Sequence, residues 1–211
     1  MVKYQGLIFD FNGVLLLDQH LHDIVFTKII REVLGRVPTQ EEFKTYFTGQ
    51  SNKHVFEYLY GRQIKDDELE KLIISKESQY QELSLAEGEK YQLAPGAIAL
   101  FEKLKARGVP HTIATSSPRM NVTFFDETLH LSKWFDITKI ACTEGDVRGK
   151  PFPDLFHKAA ENLRLPPGEC VVIEDSYAGI ESAHAAGIGH IIAIGPKEEH
   201  AMLRGIPGVT V

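Results

Sequence analysis

The chain has little that would tie it to a disulfide scaffold, a membrane or a nucleic acid. Two cysteines, Cys142 and Cys170, occur in 211 residues, too few for a disulfide framework. Each sits in or beside an apolar run (IAC and CVVI), where buried free thiols belong. No apolar stretch approaches the roughly 18 residues that a membrane span requires. The opening MVKYQGLIF has one lysine, a very short apolar run and no small-residue cleavage site. These features predict a cytoplasmic chain with no membrane partner. No basic block occurs, and the formal net charge is -6. A nucleic-acid partner leaves a cationic footprint, so none is expected. An acidic chain can still take an anionic substrate if a metal ion, a lysine or helix N-termini supply local positive potential.

What is present is ordinary globular composition, 43% hydrophobic and 25% charged, enough for one full-sized core with a smaller appended unit. Short apolar runs at 4–9, 110–114, 137–142, 170–173 and 189–194 read as buried strands. Helical patterns at 96–107, 118–129, 153–163 and 176–186 lie between them. This alternation predicts the α/β class, with a doubly wound parallel sheet. Residues 15–91 break the rhythm, with helix patterns near 22–34, 39–47, 53–60 and 67–84, turn signals at Gly35, Pro38 and Gly61, and no strand. An all-helical insert is therefore expected at 15–91, leaving 1–14 and 92–211 to form the core domain.

In open parallel sheets, ligands bind beyond the carboxyl ends of the strands. The residues directly after each apolar run are therefore the informative ones. Asp10 comes after the first; Thr115, Ser116 and Ser117 after the second; Thr143, Glu144 and a loop to Lys150 after the third; Glu174 and Asp175 after the fourth. Taken singly, each has a plain explanation, such as Asp10 in a turn before Gly13 or Asp175 capping the next helix. Together, Asp10, Glu174 and Asp175 would crowd three negative charges into one crevice, which calls for a cation. Hard oxygen ligands of this kind suit Mg²⁺, with a substrate phosphate completing its shell. Lys150 would be a second cation for the phosphoryl group, and Thr115 and the Ser116 backbone N–H would donate to its oxygens.

Four motifs in order, FDFNGV (9–14), IATSS (113–117), GKPFPDLF (149–156) and VIEDSYAGIESAHAAGI (172–188), give the chain its family likeness. It resembles the haloacid dehalogenase superfamily of phosphohydrolases, in the branch that includes β-phosphoglucomutase and phosphoglycolate phosphatase. The resemblance implies a Rossmann-like core with a helical cap inserted after the first strand. It implies that Asp10 is a nucleophile forming an aspartyl-phosphate, that Thr115 and Ser116 bind the phosphoryl oxygens, and that Lys150 steadies both. Mg²⁺ would be held by Asp10, the backbone carbonyl of Asn12 and Asp175, with Glu174 helping directly or through water. The segment FTGQSN (47–52) matches a cap loop facing the site, which makes Gly49, Gln50 and Asn52 candidates for reading the leaving group. His22 matches a histidine often found where the cap begins.

The pattern breaks at Asn12. Relatives of this type carry a second aspartate there, which protonates the leaving alkoxide and then deprotonates the attacking water. An amide does neither, and positioned acid–base help is worth ~10²–10⁴-fold. Leu17 is a smaller departure, since an acidic residue is usual near this point and Asp18 follows one place later. Three readings stay open. One is a slow phosphatase of small phosphorylated metabolites, better on aryl or acyl phosphates. The second is phosphonoacetaldehyde hydrolase-like C–P cleavage, with Lys53 forming a Schiff base. The third is a non-catalytic phospho-ligand binder, or a chain in which an engineered asparagine traps a complex. Mutase activity ranks below hydrolysis, because it too would use the missing acid. A monomer or weak homodimer is expected.

Overall fold

The computed structural model describes residues 4–195, 205 and 208–211. The outermost residues of the expected core, 1–3, and those at 196–204 and 206–207 lie outside the described set. Among the described residues, six parallel strands form one sheet in the order β3-β2-β1-β4-β5-β6. They are β1 (Gly6–Phe9), β2 (His111–Pro118), β3 (Ala141–Thr143), β4 (Cys170–Glu174), β5 (His190–Ala193) and β6 (Val209–Thr210). The chain runs outward from β1 to β2 and β3, then returns to add β4 on the other side of β1. That reversal makes the crevice beyond the carboxyl end of β1 the expected ligand site.

Both sheet faces are apolar, because successive strand residues point to opposite sides. Phe9 and Ile113 enter one buried cluster with Phe101, Val122 and Phe125. Ile8 and Ala114, their neighbours in sequence, enter the other with Leu155, Phe156, Val172 and Ile180. The covering helices are α5 (Ala97–Ala106) and α6 (Arg119–Leu129) on the first face, α7 (Asp154–Leu163) and α8 (Tyr177–Ala185) on the second.

The segment between β1 and α5 carries α1 (Gln19–Leu34), α2 (Gln40–Tyr46), α3 (Asn52–Tyr60) and α4 (Asp66–Ala86). α1 packs on α3 and α4, and α3 on α2 and α4. Their ends are written in the sequence. Thr39 accepts from the Glu42 N–H while Glu42 reaches back to the Thr39 N–H, a capping box that satisfies two otherwise orphaned donors. Ser51 caps α3, and Gly35 and Gly61 take the left-handed conformation that ends α1 and α3. The chain leaves and re-enters the sheet unit at adjacent points, where Leu16 bridges Leu93 and the Ala94 N–H donates to the Leu15 carbonyl at 2.8 Å.

The third expected strand, 137–142, is corrected. Ile137–Lys139 is a 3-10 turn, and the strand begins only at Ala141. The Asp136 carboxylate accepts from the Thr138 N–H and hydroxyl, and this local bond competes with strand geometry. β2 runs four residues beyond the expected 114 to Pro118, with an irregular register against β3 between Ala114 and Pro118. The following helix accordingly starts at Arg119 and not at 118. The first helix of the insert starts at Gln19, ahead of the expected 22.

Candidate active site

Asp10 follows the last residue of β1, and its N–H continues the ladder to the Ile173 carbonyl at 2.9 Å. The chain then turns sharply, with the Phe11 carbonyl accepting from the N–H groups of Leu15 and Leu16 at 2.8 and 3.0 Å. Gly13 takes φ 88, and any Cβ on it would overlap the Asp175 carboxylate. Glycine is thus required twice, for the turn and for the approach of β4's acidic end.

Lys150, in the loop between β3 and α7, is buried, and its Nζ donates to both Asp10 Oδ1 and Glu174 Oε1. The other oxygen of Glu174 accepts from the N–H groups of Asp175 and Ser176 at 2.6 and 2.7 Å and from the Ser176 hydroxyl at 3.1 Å. Glu174 is therefore saturated and anchors the loop. Ser176, not Asp175, caps α8, so the Asp175 carboxylate is left to the crevice. Carboxylate oxygens of Asp10, Glu174 and Asp175 lie within 4.8 Å of one another.

Burial pushes the Asp10 carboxyl up to about 7, against the lowering effect of Lys150 and with the Glu174 charge adding to the rise. Burial likewise raises Asp175, reinforced by Glu174 and Asp10. Burial works against the Lys150 charge, but Asp10 and Glu174 hold its pKa above the ordinary lysine value. One ammonium thus does not neutralise the cluster, and its all-oxygen donor set fits a hard divalent cation.

Thr115, Ser116 and Ser117 lie within the last residues of β2 and face the same cavity as Asp10, Asn12, Lys150 and Asp175. The Ser117 N–H donates to Thr115 Oγ1 at 3.1 Å, and the Ser116 hydroxyl donates to the Gly49 carbonyl at 3.2 Å. The helical segment lines the other side of the cavity, of about 70 Å³, through Gln19, His22, Phe26, Phe47, Thr48, Gly49, Asn52, Lys76 and Glu77.

Of the residues expected to read the leaving group, Gly49 and Asn52 line the cavity and Gln50 does not. Asn52 is itself committed, donating to Glu77 Oε1 at 2.7 Å. Lys53 is exposed and does not line the cavity. From the helical segment it is Lys76 of α4 that reaches the cavity, buried, with its Nζ on Glu77 at 3.0 Å and on His22 Nδ1 at 3.2 Å. Lys76 escapes sequence reading because it and Glu77 are charged residues in the middle of the face that α4 packs with Leu69, Leu72, Ile73, Tyr80 and Leu83.

Asn12 is held from two sides. Its Nδ2 donates to Asp18 Oδ2 at 2.7 Å, and its Oδ1 accepts from the Ser117 hydroxyl at 2.9 Å. Burial alone would raise the Asp18 carboxyl, but His22, Tyr80 and Asn12 hold it below the usual range.

A family model described as haloacid dehalogenase-like hydrolase matches residues 4–187. The structure of a HAD hydrolase, family IA, variant 3, from Entamoeba histolytica is 36% identical, with TM-score 0.84, over 98% of this chain and 91% of that one. Hexitol phosphatase A of Escherichia coli is 30% identical over 92% of this chain and 84% of its own length. A probable pseudouridine-5'-phosphatase of Saccharomyces cerevisiae is 29% identical over 96% and 87%. With its parallel sheet and the matched span both established, the chain belongs to the haloacid dehalogenase-like hydrolases.

Proposed function

We propose that the protein is a Mg²⁺-dependent phosphohydrolase of a small phosphorylated metabolite, with Asp10 as nucleophile. The observation that carries this reading is the buried Lys150 ammonium joining Asp10 to Glu174 beside Asp175, at the carboxyl end of β1. A carboxylate held by a lysine at a sheet's switch point can attack phosphorus. A structural ion pair alone would not need a second and third acid. Residues 15–91 act as a cap over a core of 1–14 and 92–211.

In the first half-reaction an Asp10 oxygen bonds to phosphorus as the bond to the leaving oxygen breaks, giving an aspartyl-phosphate. Lys150 balances charge on the phosphoryl oxygens, and the Thr115 hydroxyl and the Ser116 N–H orient them. Asp10, Asp175 and the Asn12 carbonyl oxygen would hold Mg²⁺, with Glu174 fixing the Asp175 loop, and the bound ion would supply charge stabilisation for the transferring group. In the second half-reaction water bonds to phosphorus and Asp10 is released. Asn12 can neither protonate the leaving oxygen nor take the proton of the water. Turnover is therefore slow on alkyl esters and faster on aryl or acyl phosphates. Hexitol phosphatase A and the probable pseudouridine-5'-phosphatase direct the substrate reading toward polyol, sugar or nucleoside monophosphates, with Gly49 and, at the start of α3, Asn52 facing the leaving group.

Acid quenching during steady-state turnover with Mg²⁺ and labelled substrate should leave covalent phosphate on Asp10, lost in Asp10→Asn. Turnover without any such label overturns the mechanism, and ligand binding with no turnover on any phosphate ester or acyl phosphate makes the protein a binder.

A further inference from the structure

Another cavity, of about 400 Å³, lies where the chain leaves and re-enters the sheet unit. Leu16, Leu17, Leu21, Leu93 and Pro95 give it apolar walls. Leu16 and Leu21 are buried, while Leu17 is 60% exposed. An apolar cleft of this size with a few polar groups is the usual form of a small-molecule site. Three of its charged side chains are open to water: His20 and Lys90 are exposed, and Glu87, with an oxygen 3.8 Å from His20 Nε2, is partly so.

Asp18 is different. It lines this cavity and not the catalytic one, and it is 1% exposed. At the N-cap position of α1 an aspartate ordinarily accepts from a first-turn N–H, and here it makes no such bond. Its Oδ2 accepts from Asn12 Nδ2 at 2.7 Å and from the Tyr80 hydroxyl, and faces His22 Nε2 at 3.4 Å. The Lys76 ammonium beyond the imidazole can only donate, so His22 Nδ1 accepts and Nε2 carries the ring's proton. The three donors around Oδ2 are thus neutral. Oδ1 is buried and meets no donor among the described residues. Buried carboxylates are ordinarily paired with a cation or fully hydrogen-bonded, and Asp18 is neither. We propose that the cavity binds a primary alkyl- or arylalkylammonium ion, its head donating to Asp18 Oδ1 and its body lying against Leu16, Leu17, Leu21 and Leu93. The ammonium supplies both the donor and the charge that Asp18 lacks. A bare metal ion would need several more oxygens, and these walls are aliphatic. Bound there, the ligand bridges the outgoing segment at 16–18 and the returning one at 91–95, and so ties the helical segment to the sheet unit.

The test titrates the full chain with phenethylamine and with its neutral counterpart phenethyl alcohol, by calorimetry and by backbone amide resonances. Saturating Mg²⁺ and inorganic phosphate are present to occupy the acidic catalytic end. No turnover is read, so the result is independent of the phosphohydrolase reading. The amine should bind with Kd below about 1 mM, at least about tenfold more tightly than the alcohol, as a charged hydrogen bond requires. Resonances of Leu17, His20 and Leu93 should shift, and those of Thr115 and Lys150 should not. In Asp18→Asn the amide oxygen can keep Asn12 and Tyr80, which turns the NH₂ toward the ligand. The amine should then lose about tenfold or more in affinity and the alcohol should not. Should that variant fail to fold, Leu17→Ser, at an exposed position, should weaken both ligands about threefold or more. Equal affinity for amine and alcohol, no shift at Leu17, His20 and Leu93, or undiminished amine binding in the folded variants overturns the proposal. So do equal shifts with ammonium chloride alone, which would mark a site for a simple cation.

Discussion

Replacing Glu77 by glutamine removes one charge from the most polar buried contact in the helical segment. Glu77 is 1% exposed and accepts from Asn52 of α3 at 2.7 Å, from Asn121 of α6 at 2.8 Å and from Lys76 at 3.0 Å. It is therefore the group through which α4 holds both its neighbour α3 and the sheet-covering α6. In Glu77→Gln one oxygen becomes an NH₂ that must face one of the two asparagine donors, and Lys76 stays buried without its counter-charge. Breaking one partner of a buried pair costs about 3–5 kcal/mol. With a urea m-value of about 2 kcal/mol/M, that lowers the midpoint by about 2 M. Lys76→Met/Glu77→Gln, which removes both charges, should recover about 2 kcal/mol of this loss. Burial alone would raise the Glu77 carboxyl, but Lys76, His22 and Asn52 hold it below the usual carboxylate range. A depressed folded-state pKa means that this stabilisation is complete above the unfolded value and lost as pH falls through the folded one. The Glu77→Gln deficit should thus shrink in strong acid. Additivity of the two single substitutions within about 0.5 kcal/mol would refute the pairing, as would a Glu77→Gln cost under about 1 kcal/mol.

Gly13→Ala should abolish turnover and Mg²⁺-dependent thermal stabilisation together, because φ 88 is strained for alanine and its Cβ overlaps the Asp175 carboxylate. Metal-free protein should lose stability between about pH 4 and 7, since Asp10 has its folded pKa raised from 3.8 to about 7. A raised carboxyl contributes below its unfolded value and loses that contribution as pH rises through the folded one. Mg²⁺ should accordingly raise Tm more at about pH 8 than at about pH 5.5, measured by thermal scanning with and without chelator. Equal shifts at both pH values would count against a carboxylate-bound ion.

The sheet and the positions of Asp10, Lys150, Glu174 and Asp175 are legible in the sequence because each depends on local rules. Short β-branched runs make buried parallel strands, and a polar residue directly after one must stand at the sheet's edge. Ile137–Lys139 misleads because Ile137 and Ile140 look like strand residues, while the Asp136 side chain decides the turn. The cap side of the cavity is less legible. Lys76, Glu77 and Asp18 are charged residues on or before helices, where sequence predicts solvent; the Lys76–Glu77 pair and the donors Asn12 and Tyr80 around Asp18 let them be buried. Lys53 has the right region but the wrong helix face. Gln50 follows Gly49 directly in the loop before α3, yet its side chain does not line the cavity, a difference that no period in the sequence records.

Gly49 offers a way to separate closure from chemistry. The cavity of about 70 Å³ lies between the strand ends and the helical segment, and a phosphorylated metabolite would have to share it with the loop at 48–50. Lifting that loop from the strand ends would widen the cavity. Gly49 is where that loop touches them: its carbonyl accepts from the Ser116 hydroxyl, and a Cβ on it would overlap Ser176. Gly49→Ala, also strained at φ 72, should hold the loop away while leaving Asp10, Lys150 and Asp175 untouched. A small acyl phosphate needs no cap contacts, so it should label Asp10 at close to the unaltered rate. A sugar or nucleoside monophosphate, which depends on closure to exclude water and fix its leaving group, should lose about tenfold or more in kcat/KM. Equal losses on both substrates would place Gly49 in the phosphate site itself and remove the loop's separate role.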